Sequence, residues 1–165
     1  MSAIIRQART TDVRAIKSLV DLYTADRRLL TKATVTLYED VQEFLVADDG
    51  GVIVGFGALH VLWEDLAEIR TLAVTPEQRG TGLGGRILTA LVDRATDLGV
   101  RRLFCLTFET GFFARHGFVE IEGSPVDPAV FAELLESYDE GVAEFLDLER
   151  VKPNTLGNHR MLRVL

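Results

Sequence analysis

One cysteine, Cys105, stands alone in the 165 residues, so no internal disulfide can form and a disulfide scaffold is excluded. The three histidines lie far from that cysteine and from one another. No zinc-ligand spacing results, and no metal is expected. Prolines number only four, and no Pro/Ser-rich linker or internal repeat interrupts the chain. A single domain over residues 1–165 is therefore expected. No run of 18 apolar residues occurs, which excludes a spanning helix and argues against a membrane partner. Lys and Arg are outnumbered 18 to 25, for a net charge of −7, a poor match to nucleic acid, whose phosphates need clustered cations. The opening MSAIIRQART lacks the charged, apolar, small order of a leader peptide. With the lone thiol, this makes a cytoplasmic location the expectation.

What is present suffices for one core. Apolar residues make up 47% of the chain and charged ones 26%. A domain of this length buries roughly 70% of its unfolded surface. The charge is uneven: the stretch from Gly117 to Glu149 holds ten acids and no Lys or Arg, which leaves the remainder net basic. A solvated helical face is the expected form of that stretch. Apolar residues scattered through Val126–Leu148 lead to the expectation of a homodimer.

Periodicity predicts a mixed α/β order. Strands are expected at Ala3–Arg9, Glu43–Ala47, Val52–Trp63, Ala67–Val74, Arg101–Phe108, Phe118–Ile121 and His159–Leu165. A helix capped by Thr11 should bury Val13, Ile16, Leu19, Val20 and Tyr23. Further helices are expected at Thr36–Gln42, Gly82–Leu98, Thr110–His116 and Pro128–Ser137. Asp48-Asp49-Gly50-Gly51 reads as a hairpin turn, and so does Trp63–Leu66.

The informative segment is PEQRGTGLGG, from Pro76, which follows a strand and opens a helix. Gly80, Gly82, Gly84 and Gly85 let a ligand approach the amides closely, and the first amides of a helix lack partners and face the positive end of its dipole. Such a place binds phosphate, and Arg79 adds a forked cation. Gly80, Gly82 and Gly85 also satisfy G-x-G-x-x-G, but a β-rich half precedes them and too little chain follows for a dinucleotide fold. The Gly-Lys-Ser/Thr of a Walker loop is absent.

Arg79-Gly80-Thr81-Gly82-Leu83-Gly84 resembles the R-x-x-G-x-G/A loop of the GNAT superfamily of N-acetyltransferases, and Phe112–Phe118 resembles that family's F-Y-x-x-x-G-F element. The resemblance covers Val52 to Ile121. It implies a mixed central sheet of about six or seven strands flanked by helices, the GNAT acyl-CoA N-acyltransferase fold. It further implies acetyl-CoA as co-substrate, with its diphosphate on the amides of Arg79, Gly80, Thr81, Gly82, Leu83, Gly84 and Gly85. The pantetheine arm would pair with the backbone of Leu72, Ala73 and Val74.

Further segments, Val35–Glu39, Gly57–Val74, Leu106–Phe118 and the tail VKPNTLGNHRMLRVL, resemble the N-acetylglutamate synthases, in particular their short actinobacterial form. That resemblance implies acetyl transfer to the α-amine of L-glutamate or L-glutamine at the first step of arginine synthesis. Glu68 would be the base and Lys32, Arg70, Arg160 and Asn158 would meet the acceptor. Each has a plainer reading: Glu68 as an exposed acid paired with Arg70, and the cations as surface charge. An amide of Leu72 or Ala73 would hold the oxyanion if the strand is bulged. The Tyr that GNAT enzymes often use to protonate the leaving thiolate is replaced by Phe113, so no acid is assigned. A transferase for another amine and a non-catalytic acyl-CoA-binding regulator remain the alternatives. Cys105 reads as a small core residue, and His116 as a cap on its helix.

Overall fold

The computed structural model describes residues 2–25 and 32–165. The strands are β1 (Ile4–Gln7), β2 (Phe44–Asp49), β3 (Val52–Trp63), β4 (Leu66–Val74), β5 (Arg102–Thr107), β6 (Val119–Ile121) and β7 (His159–Val164). They form one seven-stranded sheet in the order β1-β2-β3-β4-β5-β7-β6. The β4–β5 pair is parallel, while β1–β2, β2–β3, β5–β7 and β6–β7 are antiparallel. Helices are α1 (Val13–Ala25), α2 (Thr34–Glu39), α3 (Leu83–Asp97), α4 (Thr110–Arg115), α5 (Pro128–Leu134), α6 (Glu140–Phe145) and α7 (Lys152–Thr155). Among the described residues, no helix is long and apolar enough to cross a membrane.

The chain groups into two compact units, one of Met1–His60 with Ile69–Leu98, the other of Val61–Glu68 with Gly99–Leu165. In the first, β2 and β3 turn Phe44, Val46, Phe56 and Ala58 to one face, where Val13, Ile16, Leu19, Val20 and Tyr23 of α1 and Leu37 of α2 cover them. Gly55 and Gly57 alternate with those residues and so face the other way, toward α3. A Cβ at Gly57 would stand 2.8 Å from Leu91 and 3.0 Å from Leu72, and one at Gly55 would stand 2.9 Å from Ile87 and 3.1 Å from the Ala73 carbonyl. Two missing side chains thus let α3 lie directly on the sheet.

Charge fastens the edge of this unit. Arg6 on β1 donates through both terminal nitrogens to Asp12, at 2.8 and 3.0 Å, and through Nε to Asp48 at 3.0 Å. Asp12, buried, also accepts the Arg9 N–H at 2.8 Å. The expected Thr11 cap is thereby corrected. Thr10–Asp12 forms a 3₁₀ turn ahead of α1, entered at Arg9, and the Asp12 carboxylate, held by Arg6, reaches back to the Arg9 N–H.

The second unit packs Leu62, Leu66 and Phe104 from its strands against Leu134 of α5, Val142 and Phe145 of α6, and Leu146. Asp127 caps α5 through the Val130 N–H and Asp139 caps α6 through the Val142 N–H. The helix expected at Pro128–Ser137 stops at Leu134, and α6 and α7 were not anticipated. They span six and four residues, too short for a periodic stripe to develop. The helix expected at Thr36–Gln42 runs instead from Thr34 to Glu39, followed by a 3₁₀ turn over Val41–Glu43. The first hairpin turn narrows to Gly50-Gly51, both at positive φ, with Asp49 opposite Val52.

Gly57→Ala is expected to lower stability by about 1–3 kcal/mol, read as a falling urea midpoint, since Leu91 and Ile87 are fully buried and have no room to yield. Arg6 holds the Asp12 carboxyl below the usual carboxylate range, chiefly by their hydrogen bonds. Its contribution is therefore complete above the ordinary Asp value and is lost as pH falls through the lower folded value. Wild type is expected to exceed Asp12→Asn in stability at pH 7, with the gap closing in acid, as followed by thermal melts across pH.

Candidate functional site

Strand β4 ends irregularly. Thr71, β-branched, sits at φ 54°, in the left-handed region that such residues avoid. This break in extended geometry falls just before Leu72 and Ala73, the residues expected to offer an oxyanion donor. A conformation of this kind costs on the order of 1–3 kcal/mol and clusters at functional positions.

Beyond the strand, Pro76–Gln78 makes a 3₁₀ turn, and Gly80 and Gly82 take positive φ of 76° and 87°. Gly82 is the residue before α3, and its left-handed turn aims the following amides outward. The first i→i−4 bond of α3 runs from the Arg86 N–H to the Gly82 carbonyl, at 3.1 Å. Gly84 and Gly85 precede it, and no acceptor among the described residues meets the amides of Gly80, Gly82, Gly84 or Gly85. By contrast, the Arg79 N–H is taken by Pro76, the Thr81 N–H by Gln78, and the Leu83 N–H by the Thr81 hydroxyl at 3.4 Å. The glycine amides are the donors left for an anion. Arg79 is exposed, with its guanidinium 5.0 Å from the Tyr23 ring centre.

In the second unit, Glu68 closes the β4–β5 ladder opposite Phe104 and is 4% exposed, so the expectation of an exposed acid is corrected. The Arg160 guanidinium lies 4.9 Å from the Phe104 ring centre, and the charge of Glu68 acts on it. Glu68 faces Phe104 across the ladder, and Arg160 lies over the same ring. Arg160 donates to the carbonyls of Gly123 (2.8 Å), Glu144 (3.3 Å) and Phe145, and to the Ser124 hydroxyl (3.4 Å). Burial pushes its pKa below the usual arginine value, while Asp147 and Glu68 pull it back up. Its guanidinium already serves both the end of α6 and the Gly123-Ser124 segment, a role that its place on the terminal strand does not reveal.

The other candidates are spread out. Arg70 is half-buried on β4, and Lys32 is half-buried ahead of α2, its carbonyl accepting from Lys17 at 2.8 Å. Asn158 is half-buried just before β7, where its N–H bonds Thr155 at 3.0 Å. Phe113 is buried edge-on against Phe112 and Phe118. Cys105 is 1% exposed, and burial, seconded by Glu68, pushes its thiol up, which leaves it a core residue. His116 Nδ1 meets the Phe112 carbonyl at 2.8 Å, as a helix cap should.

Glycine amides with no acceptor among the described residues, beside a forked cation, suit a diphosphate, and their setting, between a strand that turns left-handed at Thr71 and the long helix of a mixed seven-stranded sheet, is that of an acyl-CoA N-acyltransferase. The chain belongs to the acetyltransferase (GNAT) family, whose model matches residues 2–118. It is 61% identical over 165 residues to an amino-acid acetyltransferase of Mycobacterium tuberculosis, covering 98% of this chain and 94% of that one. Among solved structures it resembles Rv2747 of M. tuberculosis, in complex with CoA and NLQ, with a TM-score of 0.94, 61% identity, and 98% and 99% of the two chains covered. It also resembles the N-acetylglutamate synthase of Neisseria gonorrhoeae complexed with coenzyme A and N-acetyl-glutamate, with a TM-score of 0.80 and 27% identity. That match spans all of this chain and 35% of the longer one.

Arg160→Ala leaves the Gly123 carbonyl without its donor, while Glu144 keeps the Asp147 N–H and Phe145 the Ser124 hydroxyl, and is expected to lower stability by about 1–3 kcal/mol in urea unfolding.

Proposed function

We propose that this protein transfers the acetyl group of acetyl-CoA to the α-amine of L-glutamate or L-glutamine, the opening reaction of arginine synthesis. The observation that carries this reading is the row of unbonded glycine amides at the start of α3, beside Arg79. The 61% identity to an amino-acid acetyltransferase supports the substrate class.

The reaction forms an amide bond from nitrogen to the acetyl carbon and breaks the carbon–sulfur bond, releasing CoA as thiol. An α-amine is mostly protonated at neutral pH, with a reference pKa of about 8, so a base must first remove a proton. Glu68 takes that role, directly or through a water. As charge moves onto the acetyl oxygen, an amide of Leu72 or Ala73, just past the left-handed Thr71, receives it. The backbone of Leu72, Ala73 and Val74 pairs with the pantetheine arm, and the amides of Gly80, Gly82, Gly84 and Gly85, with the Arg79 side chain, grip the diphosphate. A thiol of pKa near 8.5 can leave as thiolate, so a buried Phe113 in place of a tyrosine is compatible with turnover. Arg70, Lys32, Arg160 and Asn158 supply the cations and amide for the acceptor's carboxylates, Arg160 through what its carbonyl partners leave free. The protein works in the cytoplasm as a homodimer, a reading supported by its single buried thiol and by exposed Leu135, Tyr138 and Leu156.

The test is acetyl-CoA consumption against a panel of amino acids. Preference for glutamate or glutamine is expected, and equal rates with all amines would defeat the assignment. Glu68→Gln is expected to lower kcat by about 10²–10⁴ at neutral pH. The deficit should shrink at high pH, where the acceptor amine arrives already deprotonated; a pH–rate profile reads this.

A further inference from the structure

Tyr23 belongs to the apolar stripe of α1, where a phenylalanine would fill the same space. Its residue is only 5% exposed, and a buried hydroxyl needs partners. The partners lie more than 50 positions along the chain. The phenolic O–H donates to the Val74 carbonyl at 2.5 Å, and the same oxygen accepts from Arg79 Nε at 3.2 Å. The ring lies beneath the guanidinium at 5.0 Å.

We propose that Tyr23 is a positioning residue for acyl-CoA, holding the Arg79 fork over the glycine amides before the coenzyme arrives. The proposal rests on the reading of that loop as the diphosphate site. Tyr23 engages only Nε, so the four N–H groups on the two terminal nitrogens of Arg79 meet no protein acceptor among the described residues. That is the half of the guanidinium which makes paired bonds to phosphate oxygens. The contact with the ring face adds a cation–π attraction and confines a long side chain that would otherwise lose rotamer freedom on binding.

The second bond matters equally. The Val74 carbonyl is held by Tyr23, and the Thr75 N–H of the same peptide group is held by Val54 at 2.9 Å. From there Gln78 N–H bonds Thr75 and Arg79 N–H bonds Pro76. The path from strand end to Arg79 is therefore fastened at every step, with the phenol bracing both ends. A charged, exposed arginine in a glycine-rich loop has no other side-chain anchor among the described residues.

Calorimetric titration with CoA tests this in Tyr23→Phe, Arg79→Ala, Arg79→Lys and the double variant Tyr23→Phe/Arg79→Ala. Tyr23→Phe is expected to weaken CoA about tenfold, the worth of one charge-assisted hydrogen bond. The same variant should raise the acetyl-CoA KM while kcat stays within about twofold, because the reacting atoms are untouched. Once Arg79 is alanine, removing the hydroxyl should cost nothing more. Arg79→Lys, which keeps the charge but lacks both the Nε donor and the fork, should lose at least as much as Tyr23→Phe, and wild-type affinity there decides against the proposal if the tyrosine variant does not fold. Equal weakening by Tyr23→Phe with and without Arg79, or wild-type affinity in Tyr23→Phe or Arg79→Lys, overturns the proposal. Unchanged affinity in Arg79→Ala would instead overturn the diphosphate reading on which it rests.

Discussion

Helix α3 can present its first amides to an anion only if its axis is held close and still, and that depends on two absent side chains in β3. Gly55 and Gly57 leave room for Ile87 and Leu91 at distances that a Cβ would violate. Close packing then fixes the helix along its length, because interiors are as dense as organic crystals and transmit displacement rather than absorb it. The amides of Gly84 and Gly85 inherit that rigidity. Donors fixed in advance do not need to reorganise when a ligand arrives, which is where preorganised sites gain over water.

Arginines perform three different tasks in this molecule, separated by their surroundings. Arg6 is spent within the scaffold, binding two carboxylates and tying β1 to β2 and to the turn before α1. Arg160 is half-buried and turns to the end of α6 and to Gly123 and Ser124, its charge balanced by Asp147 and Glu68. Arg79 is exposed, and its terminal nitrogens meet no acceptor among the described residues. Counting cations cannot separate these cases. The partner set does, because a guanidinium has five N–H groups and each acceptor removes one from use.

Backbone strain follows the same division. Asp147 reaches φ 59° just after α6, where its N–H and that of Leu148 satisfy the carbonyls of Glu144 and Ala143, a helix-ending motif that usually takes glycine. That strain belongs to the scaffold. Thr71 has no helix end to close, and its left-handed turn falls within the strand that leads to the anion loop. The loop and the strand before it thus carry the unusual geometry of the first unit.

Local pattern was enough to expose much of this. The stripe of α1, the run of α3, the strands through β5 and the loop from Pro76 to Gly85 all follow from periods and turn residues acting over a few positions. So did the cap made by His116 and the burial of Cys105. Short α6 and α7 escaped, since six and four residues leave no period to read. Arg160 looked like a simple ligand because its carbonyl partners lie 15 to 37 positions away. Tyr23 looked like plain core because its stripe was apolar, whereas the role of its hydroxyl depends on Val74 and Arg79, 51 and 56 positions distant. Sequence by itself determined most of the elements and the glycine loop, whose pattern is carried by neighbouring residues. Only the tertiary structure decided which side chains are committed to the scaffold and which remain available, because hydrogen-bond partners are set by proximity in space, and folding alone creates that proximity.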